Sequence, residues 1–292
     1  MNNMNLHSAA LLVEFNASVW TARKLDRAVT DEVVADKQAG AKSAGRFNKN
    51  LFAGRTELED IAKHVTKVRG FVMNGTLPWS DGGQRLLPTG AFMKFDKRMD
   101  AYKEEFDELA ETFITAYPTL ITAQAMALGQ MFNRNDFPSA HEIAHKFAFS
   151  YTYLPVPKAG DFRVDIGNEA QEELRARLET ASQARLDAAT KDLTDRLVTH
   201  LKRMSDRLTS DKDVATGDVK SRRFHDTIVS SAYDLCDLIH GLNVTNDPEL
   251  ERSRRVLENC LSGVTAETLR NDPGKRDDVK AQVDNLLSKF SF

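Results

Sequence analysis

The sharpest chemistry-bearing motif in the sequence is HEIAH, His141 to His145. On a helix, H-E-x-x-H sets two imidazoles one turn apart for zinc, with the glutamate as general base. The local context favours a different use of Glu142. Ser139 follows Pro138 and stands three residues before Glu142, so S-A-H-E reads as a capping box that ties the glutamate to the helix start. Zinc metallopeptidase chemistry is therefore the weakest reading of this segment. No phosphate-cradling G-x-x-x-x-G-K-[ST], dinucleotide G-x-G-x-x-G or nucleophile elbow G-x-S-x-G occurs. Cys236 and Cys260, the two cysteines, fall in helix-like patterns and are expected to pack as small apolar residues. No enzyme is expected, and no cofactor or metal.

A second constellation is basic and aromatic. Residues 41–55, AKSAGRFNKNLFAGR, carry Lys42, Arg46, Lys49 and Arg55 with two phenylalanines and no acid. Lys42, Arg46 and Lys49 fall at i, i+4 and i+7, which predicts a cationic stripe on a helix. WTARKLDR adds Trp20, Arg23, Lys24 and Arg27, the last two spaced for one helical surface. The Gly/Pro-rich stretch GTLPWSDGGQRLLPTG (75–90) reads as a loop and offers Trp79 and Arg85. Single-stranded nucleic acid is held by such mixtures, cations following phosphates while flat rings stack on bases. The net charge of −3 conceals an asymmetry: residues 1–98 hold 15 Lys/Arg against 10 Asp/Glu, and residues 99–292 hold 25 against 33. A polyanion is expected to meet the front of the chain.

The elements that must position these residues are mostly helices. Leu58, Ile61, Val65, Val68 and Val72 mark one amphipathic face over 56–73, and Phe92 to Phe113 mark another over 91–117, ahead of Pro118. One stretch changes period: in KFAFSYTYLPVP, Phe147, Phe149, Tyr151 and Tyr153 alternate at strand spacing, and DFRVDI alternates after a Pro/Gly turn. A β-hairpin is expected near 146–166. Gly167 and Gly217 then bracket 49 residues without Gly or Pro, and a continuous helix over about 40 of them would run about 60 Å. Three shorter helices are expected near 218–240, 247–261 and 275–290. The predicted fold is mainly α, with one inserted hairpin and a long helix after it. Residues 1–166 would form the binding region and 167–292 a helical assembly region. No apolar run approaches the roughly 18 residues that span a bilayer, and a membrane partner is not expected.

Several blocks in order, LLVEFNASVWTARKLDR, GRFNKNL, TLPWSDGGQRLLP, NDFPS, KFAFSYTYLPVP and DFRVDI, resemble a family of phage proteins common in podophages of the Schitoviridae type. The resemblance covers roughly residues 6–210. It implies a helical, non-catalytic single-stranded-DNA binder that serves as a cofactor of the phage RNA polymerase in the cytoplasm of the infected host. The cations and rings named above would form its nucleic-acid surface. Family members beside MoxR-type ATPases suggest a structural adaptor as the alternative. The long helix, with 9 Lys/Arg against 10 Asp/Glu between Gly167 and Gly217, adds the expectation of a homo-oligomer.

Overall fold

In the computed structural model the described residues are 6–40, 43–157, 168–212, 219–221 and 225–290. In chain order they form α1 (Leu6–Ala9), β1 (Ala10–Ser18), β2 (Arg23–Leu25), α2 (Arg27–Asp36), β3 (Asn48–Asn50), α3 (Glu57–Gly75), β4 (Leu77–Pro78), β5 (Arg85–Pro88) and α4 (Phe92–Leu128). Then follow α5 (Ala140–Ala144), β6 (Ala148–Pro155), α6 (Asn168–Leu208), β7 (Ser210–Lys212), β8 (Val219–Ser221), α7 (Thr227–Leu242), α8 (Pro248–Leu261), α9 (Ala266–Asn271) and α10 (Pro273–Ser288). The chain is mainly α, as the 3.6-residue period predicts.

The strands are more numerous than one hairpin. A four-stranded sheet runs in the order β4-β5-β1-β6. β1 and β5 pair antiparallel with Leu11 opposite Leu87 and Leu12 opposite Leu86. The segment 75–90, expected as a loop, thus supplies two short strands closed by a turn in which Gly83 takes φ +91°. Of the expected hairpin, the first arm is β6, beside β1 in this sheet; the second, residues 161–166, lies outside the described residues.

The chain divides into two compact units. One comprises Met1–Glu14, Met73–Phe95 and Thr152–Phe292; the other comprises Phe15–Val72 and Asp96–Tyr151. The first is built on the second half of α6, where Ala189, Leu193, Leu197, Leu201, Met204 and Leu208 recur every three or four residues and are buried. They join Ala232, Cys236 and Ile239 of α7, Leu257 and Leu261 of α8, and Val279 and Val283 of α10 in one core. Each large apolar side chain of this kind contributes about 1.5–3 kcal/mol on burial. Helix starts here are capped: Asp247 accepts from Glu249 N and Leu250 N with Pro248 next, and Asp272 accepts from Lys275 N with Pro273 next. Burial pushes the Cys236 thiol up to about 12, so it is a packing residue and no thiolate at neutral pH.

The second unit has an aromatic core. Ile61, Val65, Val68 and Val72 of α3 and Met99, Tyr102, Phe106, Phe113 and Tyr117 of α4 are buried. α4 passes through Pro118 without ending, and Tyr117 Oη donates to Pro138 O at 2.8 Å. This unit carries β2, β3 and most of the basic residues singled out by the sequence.

Candidate nucleic-acid interface

β2 and β3 form an antiparallel pair with Arg23 opposite Asn50, Lys24 opposite Lys49 and Leu25 opposite Asn48. The ladder is lengthened by Leu51 N donating to Ala22 O (2.8 Å) and Asp26 N donating to Phe47 O (2.9 Å). The stripe expected on a helix does not form among the described residues. Lys49 lies on a strand and Arg46 in the extended segment before it; Lys24 is on a strand and Arg27 opens α2. Lys42 lies outside the described residues.

Directly opposite residues share a sheet face, so Lys24 and Lys49 stand side by side. Their environments differ completely. Lys49 is 6% exposed, and its Nζ contacts Asp136 Oδ2 at 2.7 Å, Asp26 Oδ2 at 3.0 Å and Met131 O at 2.9 Å. An ammonium has three donors, and all three are taken. Burial alone would lower the lysine, but the hydrogen bonds to Asp136 and Asp26 outweigh it and hold it above its ordinary pKa. Lys49 holds the fold together and has no donor left for a phosphate.

That ammonium forms part of the wall of a groove of about 1120 Å3, lined also by Lys24, Leu25, Arg27, Met131, Phe132 and Arg134. Asp26 fixes one side by capping α2, its Oδ1 accepting from Val29 N at 3.2 Å. Lys49 and the cap together keep the Asp26 carboxyl below its usual value. The 3-10 turn Arg134–Asp136 fixes the other side, with Asn133 as its cap. Arg134 Nη1 donates to Phe137 O (3.1 Å), and the remaining guanidinium donors stay at the exposed rim. Phe132 is half-buried against Phe137, ring centroids 5.5 Å apart. Lys24 and Arg27 are exposed. The groove thus has three exposed cations and one exposed carboxylate, Glu32, with a half-exposed ring and apolar edges at Leu25 and Met131.

The other expected residues divide. Arg23, Arg46 and Arg55 are exposed on the same unit. Trp20 packs edge-on against Phe52 (5.6 Å) and Tyr117 (5.9 Å), which makes it part of an aromatic cluster and not a free stacking face. Trp79 and Arg85 belong to the first unit. Trp79 is 3% exposed in its core, with the Arg185 guanidinium 5.6 Å from the ring. Arg85 Nε donates to Thr76 Oγ1 (2.6 Å) and its Nη2 to Thr76 O and Met73 O, at the C-terminal end of α3. Trp79 is thus a core side chain, and Arg85 is half-buried and bonded to the end of α3. Phe132, Arg134 and Met131 escape the sequence reading; their one signal is MFNRNDF, an arginine between two phenylalanines just past the apolar stripe of α4.

HEIAH behaves as its capping reading requires. Ser139 Oγ accepts from Glu142 N, and Glu142 Oε2 accepts from Ser139 N at 2.8 Å. Ser139 N and Ser139 Oγ, both donating to Glu142 Oε2 at 2.8 Å, hold its carboxyl below its ordinary value. His141 and His145 are exposed, with ring centroids 4.8 Å apart, at a helix of five residues. Among the described residues no three His, Cys, Asp or Glu side chains converge as a metal cluster, and no helix is long and apolar enough to cross a membrane. Comparison with protein-family models, curated proteins and solved structures finds no match for the chain.

Proposed function

We propose that the chain binds single-stranded nucleic acid in the groove between the β2–β3 ladder and the Arg134 turn. The observation that carries this reading is the placing of Phe132 among Lys24, Arg27 and Arg134 along one concave surface. Cations attract a phosphate backbone of any sequence, while an exposed ring can take only a base that is unstacked from its neighbours. A duplex supplies the first contact and withholds the second. Arg23 and Arg46 are further exposed cations of the same unit, and Phe47 is 36% exposed.

DNA as the strand, and action beside a phage RNA polymerase, rest on the ordered sequence blocks that resemble the podophage family. The same blocks include the two strand segments WTARKLDR and GRFNKNL that frame the groove. Self-association belongs to the proposal too, and sedimentation of the chain with and without oligonucleotide tests it. Binding is tested by fluorescence anisotropy with labelled single-stranded and duplex DNA of equal length. The single strand is expected to bind more tightly. Equal affinity for both, or none for either, contradicts the proposal.

A further inference from the structure

The second unit has a smaller concavity, of about 300 Å3, on the face of α4 next to α5 and β6. It is lined by Phe106, Ile114, Phe147 and Phe149 and by the small side chains Ala110, Ala144 and Ala148. The rings are held in place by packing: Phe106 on Phe149 at 5.4 Å, and Phe147 on Phe113 at 5.6 Å. Ala144 and Ala148 are exposed and Phe147 is half-exposed, so the slot opens to solvent. A cavity lined by packed aromatic rings and methyl groups suits a large apolar side chain.

The rim of the slot is acidic. Asp107 and Glu111 stand one turn apart on α4, and no Lys or Arg lines the slot. Lys103 partners Asp107, whereas Glu111 is exposed and makes no ion pair among the described residues. The two concavities of this unit differ in charge: the groove is lined by Lys24, Arg27, Lys49 and Arg134 against Asp26, Glu32 and Asp136, and the slot by Asp107 and Glu111 with no Lys or Arg. Phosphates are repelled from the slot, and a cationic peptide is favoured.

We propose that the slot docks a segment of a partner protein in which a large apolar side chain is followed by arginine or lysine. The apolar side chain lies against Phe147 and the methyls of Ala144 and Ala148, and the cation meets Glu111. This is a protein-docking site separate from the groove, and it stands whether or not the groove binds nucleic acid.

The three alanines that line the slot are direct reporters. The full chain, labelled at alanine methyls, is titrated by NMR with a blocked Gly-Phe-Arg-Arg-Gly peptide. Saturable shifts at Ala110, Ala144 and Ala148 are expected, with none from Gly-Ala-Arg-Arg-Gly and weaker ones from Gly-Phe-Glu-Glu-Gly. Glu111→Lys lies on the exposed rim and should weaken binding about two- to fivefold, the ordinary size of a surface ion pair. The same shifts from the glutamate peptide, or none from any peptide, overturn the proposal. So do shifts caused by a DNA oligonucleotide or by raising the concentration of the chain itself, which would make nucleic acid or a second copy the occupant.

Discussion

Lys49 and Asp136 meet at 2.7 Å, and Asp26 closes on the same ammonium from the start of α2. Three segments distant in sequence, β3, the cap of α2 and the Arg134 turn, are joined there, and the joint sets the shape of the groove. Replacing Lys49 with Met keeps most of the stem and leaves two carboxylates facing each other without a cation. A loss of about 2–4 kcal/mol in urea denaturation is expected, less than for a fully sealed ion pair because the aspartates retain some solvent contact. Arg46→Ala, on an exposed extended segment, should move stability by less than about 0.5 kcal/mol. Similar small effects for both would contradict a structural Lys49.

The same joint has a pH signature on both sides. Lys49 stands above its ordinary value, so its contribution is complete below the unfolded lysine pKa and is lost as pH rises through the raised one. Asp26 stands below its ordinary value, so its contribution is present above the unfolded aspartate pKa and is lost as pH falls through the lowered one. Lys49→Met should flatten both limbs of the stability profile. An unchanged profile would mean the three groups are not coupled in solution.

In the first unit, Glu251 receives Arg254 Nη2 at 2.6 Å and Arg255 Nε at 2.9 Å, and the Arg254 bond holds its carboxyl down to about 2. A depressed acid stabilises the fold above its unfolded pKa and ceases to do so as pH falls through the folded one. Between about pH 5 and about pH 2 the native chain should lose about 1–2 kcal/mol that Glu251→Gln has already lost, after allowance for solvent screening. Denaturation curves of the two proteins at both ends of that range make the comparison. Parallel losses would mean that Glu251 contributes nothing to acid sensitivity.

Gln38 carries φ +51° just past α2, where Ala39 N donates to Val34 O. A left-handed residue at this point of a helix end favours glycine. Gln38→Gly should stabilise the chain by about 0.5–1 kcal/mol. A loss of stability would show that the side chain makes up for its backbone conformation.

The helices were legible because their signal is local. The three- and four-residue spacing along 56–73, and along the Gly- and Pro-free run after Gly167, matches α3 and α6. The sheet was less legible: β4 has two residues and β5 four, both ending in proline, too short for alternation to register. The fate of single basic residues was not legible at all. Lys24 and Lys49 are the same residue type on paired strands, yet one is exposed and the other sealed by a carbonyl 82 residues away. Burial of that kind is set by tertiary contacts, and a charge pattern cannot carry it.

Trp79 illustrates the same point from the aromatic side. A tryptophan in a Gly-rich stretch suggests an exposed ring, but the strands on either side of the turn place it in the core of the first unit. Trp79→Ala should cost about 3–5 kcal/mol of stability. The folded fraction of the variant should bind nucleic acid with unchanged affinity, and weakened binding at full folding would return Trp79 to the interface.

Lys24, Arg27, Arg134 and Phe132 are proposed to act as one single-strand site. The most direct measurement is the salt dependence of affinity for a labelled single-stranded oligonucleotide, taken for the native chain, for Arg27→Ala with Arg134→Ala, and for Phe132→Ala. Removing one cation from a phosphate should flatten the log–log slope by about 0.7, so the double charge variant should flatten it by about 1.4. Phe132→Ala should cost about 1–3 kcal/mol of affinity and leave the slope unchanged. Native affinity and native slope in both variants, with folding intact, would contradict the site.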